Sequence, residues 1–383
     1  MSQVVYITES EPSIETSNSQ TQPDWIHPNL LQSIDPIKGR QFRVSGLIPK
    51  GACLLVDRPY AVIPVVDDPA NNDTLICSNP ACNRRVPRHS ASAPPSPSPS
   101  PGNRNQNPNR NRNWTRHRTP CLNACIADVT WCSEPCRDAD QDRHAFECTW
   151  LKRYAAPIRA KWGEYDFGML WVIVRLLAMR QSQQSLVAID LNLGPGSATP
   201  APKWKRGWEG IESLCGSVET WSHDKVRAWT TLVKKYLRDG PVLPHGLSSD
   251  QVLHLICQEE ANSFGLYPRA TGVVPLPYPP VDRGEQFAAA VYPTAAIANH
   301  SCLPNITHKP DEQGRMVFAA SRDIFPGEEC CISYFDLTQH TDLISRREHL
   351  RQSFKFVCQC ERCVAEEPVE ELTEWNAMPV MDW

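Results

Sequence analysis

Apolar and polar positions change rhythm along this chain. In KGRQFRVSGLIPKGACLLVDRPYAVIPV, Lys38 to Val65, they alternate with a period of two around the turn Ile48-Pro49-Lys50-Gly51, which predicts two or three short strands. Three later stretches have helical spacing: FGMLWVIVRLLAM (Phe167 to Met179), HDKVRAWTTLVKKYL (His223 to Leu237) and SDQVLHLICQEE (Ser249 to Glu260). Beyond them Val291 to Ala298 is small and apolar, like a segment packed in a core. It delivers Asn299, His300, Ser301 and Cys302 in a row and closes on a Pro304-Asn305 turn. A second turn, Pro326-Gly327, precedes CCISYF (Cys330 to Phe335), which reads as a short buried strand. Four adjacent hydrogen-bonding or metal-binding side chains at the end of a buried segment raise the question of a site, although taken alone they read as a satisfied core His with an Asn turn.

The 383 residues leave room for two or three domains. Lys and Arg number 39 against 43 Asp and Glu, a net charge of -4, so no global basic field argues for nucleic acid. The one basic cluster, NRNQNPNRNRNWTRHR, lies in a stretch too polar to bury a core. The most apolar run, Phe167 to Met179, is too short for a bilayer and carries Arg175, so no membrane association is expected. The N-terminus has acids and hydroxyls and no apolar core of a secretory signal, which predicts a soluble chain of the nucleus, the cytoplasm or both. Residues up to about Gln22 and after Ala365 look poorly ordered by composition.

The 16 cysteines gather in two clusters with close spacings, which in a reducing compartment reads as metal ligation. The first supplies Cys77, Cys82, Cys121, Cys125, Cys132, Cys136, His144 and Cys148, the right number of ligands for two four-coordinate zinc ions. Its end, aromatic-Cys-x3-Cys and His-x3-Cys, resembles a MYND finger. That resemblance implies interleaved ligands, with Cys77, Cys82, Cys132 and Cys136 on one ion and Cys121, Cys125, His144 and Cys148 on the other. It also implies a proline-rich peptide as the finger's partner. A Pro-, Ser-, Asn- and Arg-dominated insertion over 83–120 departs from the usual short loop and is expected to be disordered, with His89 and His117 outside the ligand sets. The second cluster, FVCQCERC, offers Cys358, Cys360 and Cys363; a tetrahedral zinc then needs one more ligand, and Cys302 is available. Cys53, Cys215, Cys257, Cys330 and Cys331 read as small core residues.

Taken together, NHSC with its Pro-Asn turn, CCISYF and the cysteine tail resemble the SET domain of protein lysine methyltransferases. The order of first segment, finger, helical middle, core and tail resembles the SET-and-MYND family, over roughly residues 38 to 365, in a shortened form without the long C-terminal helical domain of many members. The implied fold class is α+β: a β-rich, pseudoknotted SET fold, split by a MYND zinc finger and a helical insert, with a post-SET zinc site. The expected divisions are an N-terminal extension (1–37), a first SET segment (38–68), the finger (77–148), a helical middle (149–258), a core (259–336), a helix with the cysteine tail (337–365) and a terminal tail (366–383).

The implied activity is transfer of a methyl group from S-adenosylmethionine to a lysine of a histone or other protein, with three zinc ions. Tyr334 carries over as the channel tyrosine. Lys38, Gly39 and Arg40 of the first turn, Asn262, Asn299, His300 and Phe356 carry over as cofactor-binding residues. Three positions depart from the family: Gln41 replaces a usual Gly, Phe354 a frequent Tyr of the lysine channel, and Ala296 a frequent Ser. The competing reading is a catalytically silent adaptor that uses the SET fold as a scaffold for a peptide-binding finger.

Overall fold

The computed structural model describes residues 24–65, 74–88, 118–190, 205, 207–238, 242–243 and 246–367. It is a mixed helix-and-strand fold with several small sheets. The alternating N-terminal region forms the strands Gly39–Val44, Cys53–Asp57 and Ala61–Pro64. Each joins a different sheet, so this one stretch ties the β part of the molecule together.

The sheet closest to the candidate site orders Asn299–His300, Glu329–Ile332, Gly39–Val44 and Leu30–Asp35. Leu30–Asp35 lies within the extension expected over 1–37, yet it pairs residue by residue with Gly39–Val44. Trp25–Ile26 likewise pairs with Cys53–Asp57. The ordered β structure therefore begins before Lys38. The hairpin turn is made by Asp35, whose Oδ1 accepts from the backbone N–H of Ile37 and Lys38 at 2.9 Å each, and by Gly39 at a φ of +72°. CCISYF is extended only to Ile332. Beyond it Ser333 Oγ bonds the Phe335 carbonyl and the chain turns toward the site.

The helical middle packs around Glu164–Asp190, whose Phe167-to-Met179 portion is buried on nearly every side. Gln141–Trp162, Ser249–Asn262 and the strand Ala61–Pro64 surround it. His223–Leu232 is α-helical, but the last five residues of that periodic stretch, Val233–Leu237, widen into a π-type turn. Gln141–Trp162 crosses the expected finger boundary at residue 148, so finger and middle share one helix. The ends of the 83–120 insertion are ordered as well. Arg85–Pro87 pairs with Thr74–Ile76, and Thr119–Pro120 with Thr130–Trp131; 89–117, with His89 and His117, lies outside the described residues.

Candidate active site and metal centres

In the finger the eight ligand-type residues converge in two groups, Cys77, Cys82, Cys132 and Cys136, and Cys121, Cys125, His144 and Cys148. Cys302, Cys358, Cys360 and Cys363 form a third. Within each group the ligand atoms lie within 4.8 Å of one another. The closest pairs are tighter: Cys82–Cys132 at 3.6 Å, Cys132–Cys136 at 3.4 Å, Cys121–Cys148 at 3.6 Å and Cys302–Cys363 at 3.5 Å. A tetrahedron of thiolates around zinc, with bonds of about 2.3 Å, has edges of roughly 3.8 Å, so the donor sets fit that ion. Four neutral thiols have little reason to crowd so closely. A hydrogen bond from its neighbour holds Cys82 down at about 5 while pushing Cys77 up. A divalent cation among them would resolve that competition by taking all four as thiolates.

His144 shows how the second group is held. Its Nε2 stands 3.2 Å from Cys121 Sγ and 3.7 Å from Cys125 Sγ, and its Nδ1 lies 3.1 Å from Glu147 Oε1, one helical turn on. Glu147 is fully buried. Burial raises its carboxyl, but Arg143 and Arg175 outweigh burial and hold it well below the usual range. Arg175, the lone charge of the apolar run Phe167 to Met179, bonds both Glu147 oxygens at 2.7 Å and the Val62 carbonyl at 2.9 Å. This carboxylate behind a donor-group histidine lies outside the residues singled out from the sequence. Its signal was His144 followed by Glu147 at i+3, which shares a helix face.

At the third group the answer to the run Asn-His-Ser-Cys becomes visible. Asn299–His300 runs parallel to Cys331 and Ile332, placing Tyr334 beside His300. The Tyr334 backbone N–H donates to His300 Nδ1 at 3.1 Å. His300 Nδ1 is therefore unprotonated, and its Nε2–H points at Cys302 Sγ, 3.2 Å away. Burial holds His300 down at about 3, consistent with a neutral ring. Both ring nitrogens are thus engaged within the protein, and a role for this side chain toward a cofactor would run through packing rather than hydrogen bonding.

The Tyr334 hydroxyl donates to the Ala298 carbonyl at 3.1 Å. Its ring is walled by Phe354 at 5.0 Å, His300 at 5.2 Å and Phe356 at 6.3 Å. Burial pushes the phenol up, so Tyr334 stays a neutral hydroxyl. Asn262 ends the helix Ser249–Asn262 and is engaged with the loop at Cys215. It donates to the Cys215 and Gln258 carbonyls and accepts from Cys215 Sγ. Cys215 is exposed here, not a core residue, because it follows Leu214 on a loop whose next residue, Gly216, has a φ of +153°. Cys53 is half-buried, and Cys257, Cys330 and Cys331 are buried. Arg40 donates to Ser213 Oγ at 3.2 Å, joining the first turn to that loop. Gln41, where the family resemblance calls for Gly, is buried in the regular strand Gly39–Val44.

Residues 173–335 match the family model for the SET domain. The match reaches back through the helical middle and ends one residue after Tyr334. Over 120 residues the chain is 36% identical to the "Potential protein lysine methyltransferase SET6" of Saccharomyces cerevisiae, covering 31% of this chain and 30% of that one. Over 73 residues it is 44% identical to the human "Protein-lysine N-trimethyltransferase SMYD5", 18% of each. Over 259 residues it is 24% identical to a SET and MYND domain-containing protein of Dictyostelium discoideum, covering 62% of this chain and 47% of that one. The chain thus spans less than half the length of each of these three relatives. Among the described residues no helix is long and apolar enough to cross a membrane.

Proposed function

We propose that this SET-domain chain, similar to SET-and-MYND proteins, is a protein-lysine N-methyltransferase acting on a histone or other protein lysine. The observation that carries the reading is the placement of Tyr334, a neutral hydroxyl in an aromatic enclosure directly beside the Asn299-His300 segment. The relatives' names support the same chemistry. S-adenosylmethionine, when bound, would supply an electrophilic methyl group. Lys38, Gly39, Arg40, Asn262, Asn299, His300 and Phe356 are the residues assigned to hold it. The three donor groups are assigned to zinc, and a nuclear or cytoplasmic compartment would keep their thiols reduced.

The chain's own contribution follows from the enclosure. A lysine ammonium with a pKa of about 10.4 is no nucleophile. The rings of Tyr334, Phe354 and Phe356 offer it no counter-charge, so desolvation there favours the neutral amine. The Tyr334 oxygen, its proton committed to Ala298, presents lone pairs that orient the reacting centre.

The test is calorimetry of zinc-loaded protein with S-adenosylmethionine, followed by radiolabelled methyl transfer to histone peptides. One site per chain is expected. Tyr334→Phe should keep binding while turnover falls by about 10²-fold or more. A folded, zinc-loaded chain that binds no cofactor would sink the reading.

A further inference from the structure

Lys38 and Asn299 come from segments far apart in sequence, yet one side chain outside the assigned set links them. Glu329, at the start of Glu329–Ile332, accepts from Lys38 Nζ through Oε2 at 2.6 Å and from Asn299 Nδ2 through Oε1 at 2.9 Å. The Asn299 amide also donates to the Arg40 carbonyl at 3.3 Å. An amide nitrogen has two protons, and here both are committed. Asn299 Oδ1 is therefore the group left to face a ligand, as an acceptor.

Behind Glu329 stands Gln41, the position where the family resemblance calls for Gly. With its amide nitrogen turned toward the carboxylate, Gln41 donates to Glu329 Oε1 at 3.1 Å and accepts from Arg43 Nε at 2.9 Å and Ser33 Oγ at 3.2 Å. No other amide orientation satisfies these neighbours. Gln41 is 2% exposed, so this backing is fixed, and the Glu329 side chain is only 14% exposed.

We infer that Glu329, backed by Gln41, is a positioning residue of the cofactor pocket: it locks the Asn299 amide so that an acceptor oxygen faces the bound cofactor and holds Lys38 at the pocket rim. This role rests on the methyltransferase reading above. It also accounts for a buried Gln where a Gly is usual, because the side chain is used to brace the carboxylate.

The experiment is calorimetric titration of zinc-loaded full chain with S-adenosylmethionine, alongside thermal melting. Glu329→Ala should weaken binding about tenfold, the scale of one charge-assisted hydrogen bond, in a chain that still folds but melts somewhat lower because Gln41 loses its acceptor. Glu329→Gln keeps an acceptor for Asn299 and should restore most of the affinity. In an Asn299→Ala background, Glu329→Ala should cost clearly less than it does alone, because the residue acts largely through Asn299 and only its hold on Lys38 is left to lose. Wild-type affinity in Glu329→Ala, or losses that add in the double variant, would overturn the role. Should Glu329→Ala fail to fold, Gln41→Ala is expected to lose affinity about threefold with the carboxylate present, and unchanged affinity there overturns the role equally. Failure of the folded wild-type chain to bind is a different result: it removes the activity reading itself, and this role with it.

Discussion

Phe354 ends the helix Leu343–Phe354 with its ring 5.0 Å from Tyr334. A tyrosine there would add a hydroxyl to a wall that is otherwise apolar, taking space and offering a hydrogen bond to the amine. Phe354→Tyr should therefore shift the product toward fewer methyl groups per lysine, read by mass spectrometry of a methylated peptide. An unchanged product distribution would show that Phe354 does not border the amine. Asp57 is a second residue with a checkable consequence. It is buried, and its Oδ2 accepts from the backbone N–H of Thr294 and Ala295 at 3.1 and 2.8 Å, fixing the short turn that leads into Asn299. Burial pushes its carboxyl up to about 7. A folded-state pKa above the unfolded value of about 3.9 means that the stability from this group is full below pH of about 4 and is lost as pH rises to about 7. Asp57→Asn keeps an acceptor and cannot titrate. Its stability relative to wild type should rise across that window by up to roughly 4 kcal/mol, measured as denaturation midpoints at pH 4 and 7.5. A difference that is flat with pH would refute the assignment. Phe354 stood out in the sequence as a departure from the family pattern, whereas Asp57 reads as the polar end of an alternating strand, and only the fold brings it under residue 294.

The helix Gln141–Trp162 carries two members of one donor group, His144 and Cys148, together with Glu147. Its first turns belong to the finger, and its remainder packs against Glu164–Asp190. Glu147 is thus both the partner that orients His144 and the counter-charge of Arg175. Glu147→Gln should lower zinc affinity of that centre by about 10- to 100-fold, measured by competition with a chromophoric chelator. Glu147→Ala should also cost about 3–5 kcal/mol of stability, because it leaves Arg175 buried and uncompensated. Equal zinc affinity in Glu147→Gln would show the contact to be incidental. Much at this scale was legible. Cysteine spacing indicated the ligands and helical periodicity the three middle helices, and the lone Arg175 in an apolar run already argued against a membrane span. What spacing could not supply was the shared helix, since the metal pattern ends at Cys148 while the helical pattern runs on to Trp162.

Across the whole molecule the site is an assembly of distant segments. Lys38 meets Glu329 across 291 positions, and Cys302 meets Cys363 across 61. A local pattern carries no information about such pairs, which is why the residue types of the site could be read from NHSC, CCISYF and the tail, while Glu329 and the linking of Arg40 to Ser213 could not. The third donor group has the widest reach. Cys302, Cys358 and Cys363 belong to a small apolar cluster with Phe335, Leu337, Leu343 and Leu350, against which Tyr334, Phe354 and Phe356 pack. The cluster has few apolar side chains of its own, so a metal there would supply much of its cohesion. Cys363→Ser should reduce zinc from three ions to two per chain. Hydrogen exchange should then rise over residues 341–367, while the finger around His144 keeps its protection. Cofactor affinity should fall with it, because Phe356 and the wall formed by Phe354 lose their anchor beside Tyr334. Three ions retained in Cys363→Ser, or faster exchange throughout the chain, would contradict a local closing role for this centre.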